Sequence, residues 1–168
     1  KDFQVKVRGY RVEVAEIEAA LVALDAIKAA VVHPQPDDTG ETRLVAYVVP
    51  AAGEGPTVSE LRRALAQILP NYMLPSAYVF LDALPVLTNG KVDRRALPLP
   101  DQDRPRQRRP YAAPQNGVEY ELIKIWEEVL HVRPIGIDDS FFDLGGDSLT
   151  ATRVVSRVVK KFQLKIPL

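Results

Sequence analysis

The residues best suited to chemistry lie in Asp143-Leu144-Gly145-Gly146-Asp147-Ser148-Leu149, preceded by Ser140-Phe141-Phe142. Asp147 is a good N-cap, so the pattern predicts a helix opening at Ser148, and the two glycines permit a tight backbone ahead of it. Behind the serine, Ala151, Val154, Val155, Val158 and Phe162 recur at helical spacing. A hydroxyl at a helix N-terminus meets free N–H groups and the positive end of the macrodipole, a setting that favours a phosphate. The chemistry this predicts is a serine that carries a phosphodiester.

Gly146-Asp147-Ser148-Leu149 also spells the nucleophile block of a serine hydrolase family. A hydroxyl nucleophile needs a base within reach, usually a histidine held by a carboxylate. His33 and His131 both precede Ser148 and no histidine follows it, whereas that family places its serine early and its Asp-x-x-His late. A hydrolase is not expected. A second candidate is Lys91, which follows Asn89-Gly90, a two-residue turn signal that projects the lysine from a loop tip. Taken alone, such a lysine is a solvated turn residue. It does not belong to a phosphate-binding P-loop, because Pro85 stands where that motif needs its first glycine.

The elements that position these residues fall into two groups. Residues 1–97 read as an α+β unit. Phe3, Val5 and Val7 alternate with polar residues, Gly9-Tyr10 interrupts, and Val12 and Val14 resume the alternation, which predicts a hairpin. Ile17, Ala20, Leu21, Leu24 and Ile27 form a helical stripe, and residues 30–33 and 44–49 read as strands around a loop over 34–40. Thr57 and Glu60 make a capping box for a helix that carries Leu61, Leu65 and Ile68 and ends at Pro70. Residues 78–81 read as a short strand. Residues 98–114 are a Pro/Arg-rich linker, with Pro98, Pro100, Pro105, Pro110 and Pro114 among Arg104, Arg106, Arg108 and Arg109. Beyond it, Asn116 and Glu119 cap a helix whose buried face is predicted as Val118, Leu122, Ile125, Trp126 and Val129.

Composition narrows the classes. Twenty-two basic residues balance 22 acidic ones, so nucleic acid is not an expected partner and the linker arginines read as a solvated spacer. No apolar run is long enough to span a membrane, and no secretory leader pattern opens the chain. Cysteine is absent, so a thiol must come from a cofactor, and no metal-ligating cluster is evident. A cytoplasmic location is expected.

The Ser148 block closely resembles the phosphopantetheine-attachment motif of peptidyl carrier (thiolation) domains in nonribosomal peptide synthetases. Upstream, residues 2–18 resemble the hinge-and-hairpin motif of amino-acid adenylation domains. Leu69-Pro70-Asn71-Tyr72-Met73-Leu74-Pro75 resembles a second motif of that family, and Asn89-Gly90-Lys91-Val92-Asp93-Arg94 a third. The resemblance implies a small α+β C-terminal adenylation subdomain over 1–97, short sheets with packed helices. An all-α four-helix carrier bundle would follow over 115–168. Only two long helices are visible there, so the bundle is expected to be truncated, its last helix missing. The family's usual Gly-Arg before the hinge is replaced by Lys1 alone, and Ala15 stands where many members have glycine.

Roles follow from the resemblance. Ser148 would take a covalent 4′-phosphopantetheine arm beside Asp147, and Lys91 would be the catalytic lysine, its ammonium bridging a carboxylate and the α-phosphate of ATP as like charges approach. Gly9 would line the tunnel taken by the arm, Asp2 would be the hinge, and Leu97-Pro98-Leu99-Pro100 would dock the linker on the small subdomain. The activity implied is ATP- and Mg²⁺-dependent formation of an aminoacyl-adenylate and loading of the carrier. The large N-terminal adenylation subdomain, absent here, would supply most of the nucleotide and amino-acid pocket, so these residues alone are not expected to adenylate. The other partners implied are a phosphopantetheinyl transferase, neighbouring condensation or thioesterase domains, and an amino acid substrate. An aryl- or fatty-acid-activating ligase fused to a carrier shares these features, and a non-catalytic helical module would leave Ser148 unmodified.

Overall fold

The computed structural model describes residues 4–36, 40–53, 55–100 and 110–164. The chain divides into two compact units, residues 1–101 and 102–168.

In the first unit, β1 (Gln4–Val7) and β2 (Tyr10–Glu13) form the predicted antiparallel hairpin, with Val5 opposite Val12 and Val7 opposite Tyr10. Helix α1 (Val14–Val22) follows at once, so Val14 belongs to the helix rather than to the strand expected for it. A three-stranded sheet has the order β3 (Ile27–Pro36), β4 (Thr42–Pro50), β5 (Ala77–Phe80); β4 is antiparallel to β3 and parallel to β5. Strand β3 runs on to Pro36, through Pro34 and Gln35, where a loop is expected from sequence. The reason is position: β3 is an edge strand, where a proline without an N–H costs the ladder little. Helix α2 (Val58–Ala66) lies between β4 and β5 and has the full capping box, Thr57 Oγ1 accepting from the Glu60 N–H and Glu60 accepting from the Thr57 N–H at 2.9 Å. A single 3₁₀ turn, Asn71–Met73, precedes β5.

Strand β4 explains the layering. Residues 44–49 are all buried, so the sheet is covered on both faces. Leu44, Ala46 and Val48 meet Ile17 and Leu21 of α1, Leu61 and Leu65 of α2, and Val7 and Val12 of the hairpin. On the opposite face Val45 and Tyr47 close, with Val31, on Leu97, and Leu84 and Val92 pack against them. Helices therefore cover one side, and the chain around Lys91 covers the other.

In the second unit, α3 (Gly117–Leu130) and α4 (Ser148–Phe162) share a core of Ile125, Val129 and Val154. Ion pairs from Arg157 to Glu128 (2.7 Å) and from Lys161 to Glu121 (3.0 Å) join the two helices. The loop between them buries Val132, Ile135 and Leu144 against Ile123, Trp126 and Leu130. Val118 and Val155, expected inside, are exposed. Val118 lies in the first turn of α3, ahead of the buried Ile125 and Val129, and Ile123 packs toward the loop instead. Residues 165–168 lie outside the described residues.

Candidate functional site

Lys91 sits on a self-closed loop. The Leu87 N–H donates to the Lys91 carbonyl at 2.7 Å, the Gly90 N–H to the Leu87 carbonyl at 2.9 Å, and the Asp93 N–H to the Pro85 carbonyl at 2.8 Å, around a bridge between Val86 and Val92. The turn is wider than the two-residue form expected from Asn-Gly. That form needs positive φ at both central residues; here Gly90 has φ +79° and Asn89 does not. Asn89 instead accepts the Lys91 N–H through its side-chain oxygen at 3.1 Å. Lys91 is exposed, and its ammonium has no ion-pair partner among the described residues. The loop thus presents an unneutralised cation from a backbone fixed on the sheet, suited to meeting an anion supplied from outside the unit.

Gly9 is at the exposed tip of the β1–β2 hairpin with φ +86°, and a Cβ there would meet nothing within 4 Å. Space around the tip is therefore open, and the glycine is needed locally for its backbone. Gln4, Val5, Lys6, Gly9 and Arg11 line a shallow groove along the hairpin. Tyr10 stacks on Tyr72, ring centroids 4.3 Å apart and planes within 8° of parallel, tying the hairpin to the 3₁₀ turn. Asp2 lies outside the described residues.

Leu97 is buried, Leu99 and Pro98 are exposed, and Pro100 is half-buried. The Tyr47 hydroxyl donates to the Pro98 carbonyl at 2.6 Å and accepts from Gln35 Nε2 at 2.8 Å. Burial raises the Tyr47 pKa, so the hydroxyl keeps the proton it donates. Sequence reasoning missed Tyr47 and Gln35; the signal was a lone phenol in an apolar strand, which must find a partner when buried. The linker arginines lie at 104–109, outside the described residues.

Ser148 opens α4 as its first residue and is exposed. Asp147 caps the helix by accepting the Thr150 N–H at 2.8 Å, and Thr150 Oγ1 accepts the Asp147 N–H at 2.8 Å. Sequence reasoning placed the cap but not its reciprocal half. The amides of Ser148 and Leu149 have no acceptor among the described residues. The loop ahead of the serine is held by Phe141, whose ring meets Trp126 edge-on at 5.1 Å. Gly146 lies flat on that ring: a Cβ there would fall 2.3 Å from two ring carbons. An exposed hydroxyl, two open amides and a rigid floor fit the covalent phosphodiester of a pantetheine arm, which needs access at Ser148 and no deep pocket.

Comparison with known proteins finds one family match in each unit. The AMP-binding enzyme C-terminal domain matches residues 16–91, and the phosphopantetheine attachment site matches residues 121–168. Tyrocidine synthase 3 of Brevibacillus parabrevis is 50% identical over 167 residues, which is 99% of this chain and 2% of that protein. The chain belongs to the nonribosomal peptide synthetases. Gramicidin S synthase 2 of Aneurinibacillus migulanus is 46% identical over 168 residues, 99% of this synthetase chain and 4% of the relative. A four-domain nonribosomal peptide synthetase crystallised with AMP and glycine matches with TM-score 0.54 and 40% identity, over 98% of this chain and 12% of that one. An acyl-CoA synthetase of Brucella canis matches with TM-score 0.52 and 28% identity, over 56% of this chain and 18% of that one. The chain thus spans only a few per cent of the length of the curated relatives it matches.

Proposed function

We propose that this chain is the small adenylation subdomain, linker and carrier of an amino-acid-activating module. The module converts an amino acid and ATP, with Mg²⁺, to an aminoacyl-adenylate and pyrophosphate. It then loads the aminoacyl group onto the carrier with release of AMP. The arm bound at Ser148 supplies the thiol that holds the aminoacyl group as a thioester. The observation that carries this reading is the exposed, capped serine at the start of α4 in a chain whose other unit presents an exposed lysine from a fixed loop.

Lys91 provides the ammonium that offsets the charge of carboxylate and α-phosphate as they approach, an electrostatic task that needs a positioned cation and no base. The large subdomain that would receive Lys91 holds most of the ATP site and the amino-acid pocket, so the two described units do not adenylate by themselves. The Gly9 hairpin borders the route of the arm, and Asp2 is the hinge that exchanges the Lys91 and Gly9 faces. Leu97 and the Tyr47–Pro98 bond seat the first linker residues on the sheet. The carrier completes a four-helix bundle of which α3 and α4 are two members. A phosphopantetheinyl transferase installs the arm, condensation or thioesterase domains act next, and the protein works in the cytoplasm; no described helix is long and apolar enough to cross a membrane.

Incubation with coenzyme A and a promiscuous phosphopantetheinyl transferase, followed by intact mass, tests the reading. One phosphopantetheine per chain, absent in Ser148→Ala, is expected. No adduct on the folded protein would refute the carrier assignment and leave a structural module.

A further inference from the structure

Strand β3 lies at the edge of its sheet, and Val32 turns both backbone polar groups away from β4. An edge strand with open N–H and C=O groups invites a partner. Here two side chains take that place. Glu18 Oε1, from α1, accepts the Val32 N–H at 2.9 Å, and Arg94 Nη1 donates to the Val32 carbonyl at 2.7 Å. Arg94 Nη2 also meets the same Glu18 oxygen at 2.9 Å, which closes a ring of three charge-assisted contacts. Both side chains are largely withdrawn from solvent, with 31% and 23% exposed for Arg94 and Glu18. This is a directed, partly desolvated pair, not a loose surface contact.

Its location gives it a task. Arg94 follows the Lys91 loop directly, after Val92 and Asp93. The loop's own hydrogen bonds fix its shape but do not fix its direction relative to the sheet. Leu84 and Val92 attach it through apolar contacts with Val45 and Tyr47, which set its height yet resist sliding weakly because dispersion has no preferred direction. The Arg94 fork is a directional polar anchor next to the loop, and it ties the loop to β3 and to α1, the helix that continues from the Gly9 hairpin.

We propose that Arg94, held by Glu18, is a positioning residue that aims Lys91 for adenylate formation, an inference that rests on Lys91 being the catalytic lysine. Lysine at position 94 would place a charge near Glu18 but could not reproduce the planar fork that reaches two acceptors in fixed directions.

The test uses the intact synthetase module that contains this chain. Amino-acid-dependent ATP–pyrophosphate exchange and thioester formation from preformed aminoacyl-adenylate are measured for Lys91→Ala, Arg94→Ala, Arg94→Lys and Glu18→Gln, with melting temperatures. Arg94→Ala should lower kcat for exchange about 10- to 100-fold with KM little changed, the signature of a misaimed group and not of lost binding. Thioester formation from preformed adenylate should stay within about threefold, and Arg94→Lys should recover part of the exchange. Equal losses in both half-reactions that follow a lowered melting temperature would overturn positioning in favour of a structural role. Unchanged exchange in Arg94→Ala beside a dead Lys91→Ala would overturn it as well. Retained exchange in Lys91→Ala would instead refute the catalytic reading of Lys91, and the inference with it. If Arg94→Ala does not fold, Glu18→Gln carries the same comparison, because it keeps the acceptor for the Val32 N–H and removes only the charge that holds the fork.

Discussion

Gly146→Ala should loosen the floor beneath Ser148, and the contact distances set the size of the effect. An added Cβ would lie 2.3 Å from Cδ1 and Cε1 of Phe141 and 2.6 Å from the Phe141 carbonyl oxygen. Comfortable carbon contacts are near 3.5–4.0 Å, so the ring must retreat by more than about 1 Å. Ring motion alone does not suffice, because the carbonyl oxygen is backbone and already accepts the Gly146 N–H at 2.9 Å. Overpacking of this kind costs about 1–3 kcal/mol, and loss of the edge-on contact with Trp126 about 0.5–1.5 kcal/mol more. The expected destabilisation is about 2–4 kcal/mol, a shift of at least about 1 M in a urea midpoint for a small domain. The assay is built into the chain: Trp126 is its single tryptophan and lies in the affected unit, so fluorescence reports that unit's unfolding selectively. Gly9→Ala is the control, since it strains a φ of +86° in the other unit and meets no atom within 4 Å. It should leave the Trp126 transition in place. An unchanged Trp126 midpoint in Gly146→Ala would refute the argument that Phe141 and Gly146 form a rigid seat.

Thr57→Ala removes one half of a capping box and should cost about 1 kcal/mol in the first unit's thermal unfolding, with Thr57→Ser nearly neutral. Tyr47→Phe deletes the hydroxyl between Gln35 and Pro98 and should speed amide exchange at residues 97–99 while costing about 1 kcal/mol in global stability. The Tyr78 hydroxyl is buried and has no hydrogen-bond partner among the described residues, so Tyr78→Phe should be neutral or stabilising in denaturant titration. Burial raises the Tyr78 pKa above its ordinary value of 10.0, with Arg62 opposing. Above about pH 10 the unfolded chain therefore releases a proton that the folded chain keeps, and stability falls as pH rises. Tyr78→Phe should lessen that alkaline loss, and an identical pH profile in both proteins would refute the assignment.

Local chemistry was the most legible part of the sequence. Thr57 with Glu60, Asn116 and Asp147 each announce a helix start because capping depends on a few adjacent residues. The strand over 44–49 was legible as an apolar run, but its burial on both faces depends on what packs there, which no local pattern states. Pro34 and Pro36 read as loop residues because proline disfavours strands, and the exception for an edge strand requires knowing the sheet order. At the site, Ser148, Lys91 and Gly9 stood out through their turns and caps. Glu18 and Arg94 did not, because the contact that gives them a role joins residues far apart in the chain. Tyr47, the partner of the expected docking residue Pro98, was hidden for the same reason.

Leu97 has a practical consequence for cutting and rejoining such chains. It stands at the sequence border between the first unit and a proline-rich stretch, yet its side chain closes the core formed by Val31, Val45 and Tyr47. A fusion joint placed before it would remove a core residue from the donor and hand an orphaned leucine to the recipient, damaging a unit the designer meant to leave intact. Because the Pro98 carbonyl is also engaged by Tyr47, the earliest cut that respects the fold falls after Pro98. Recombination that follows folded boundaries should therefore keep Leu97 and Pro98 with the first unit, which runs to residue 101.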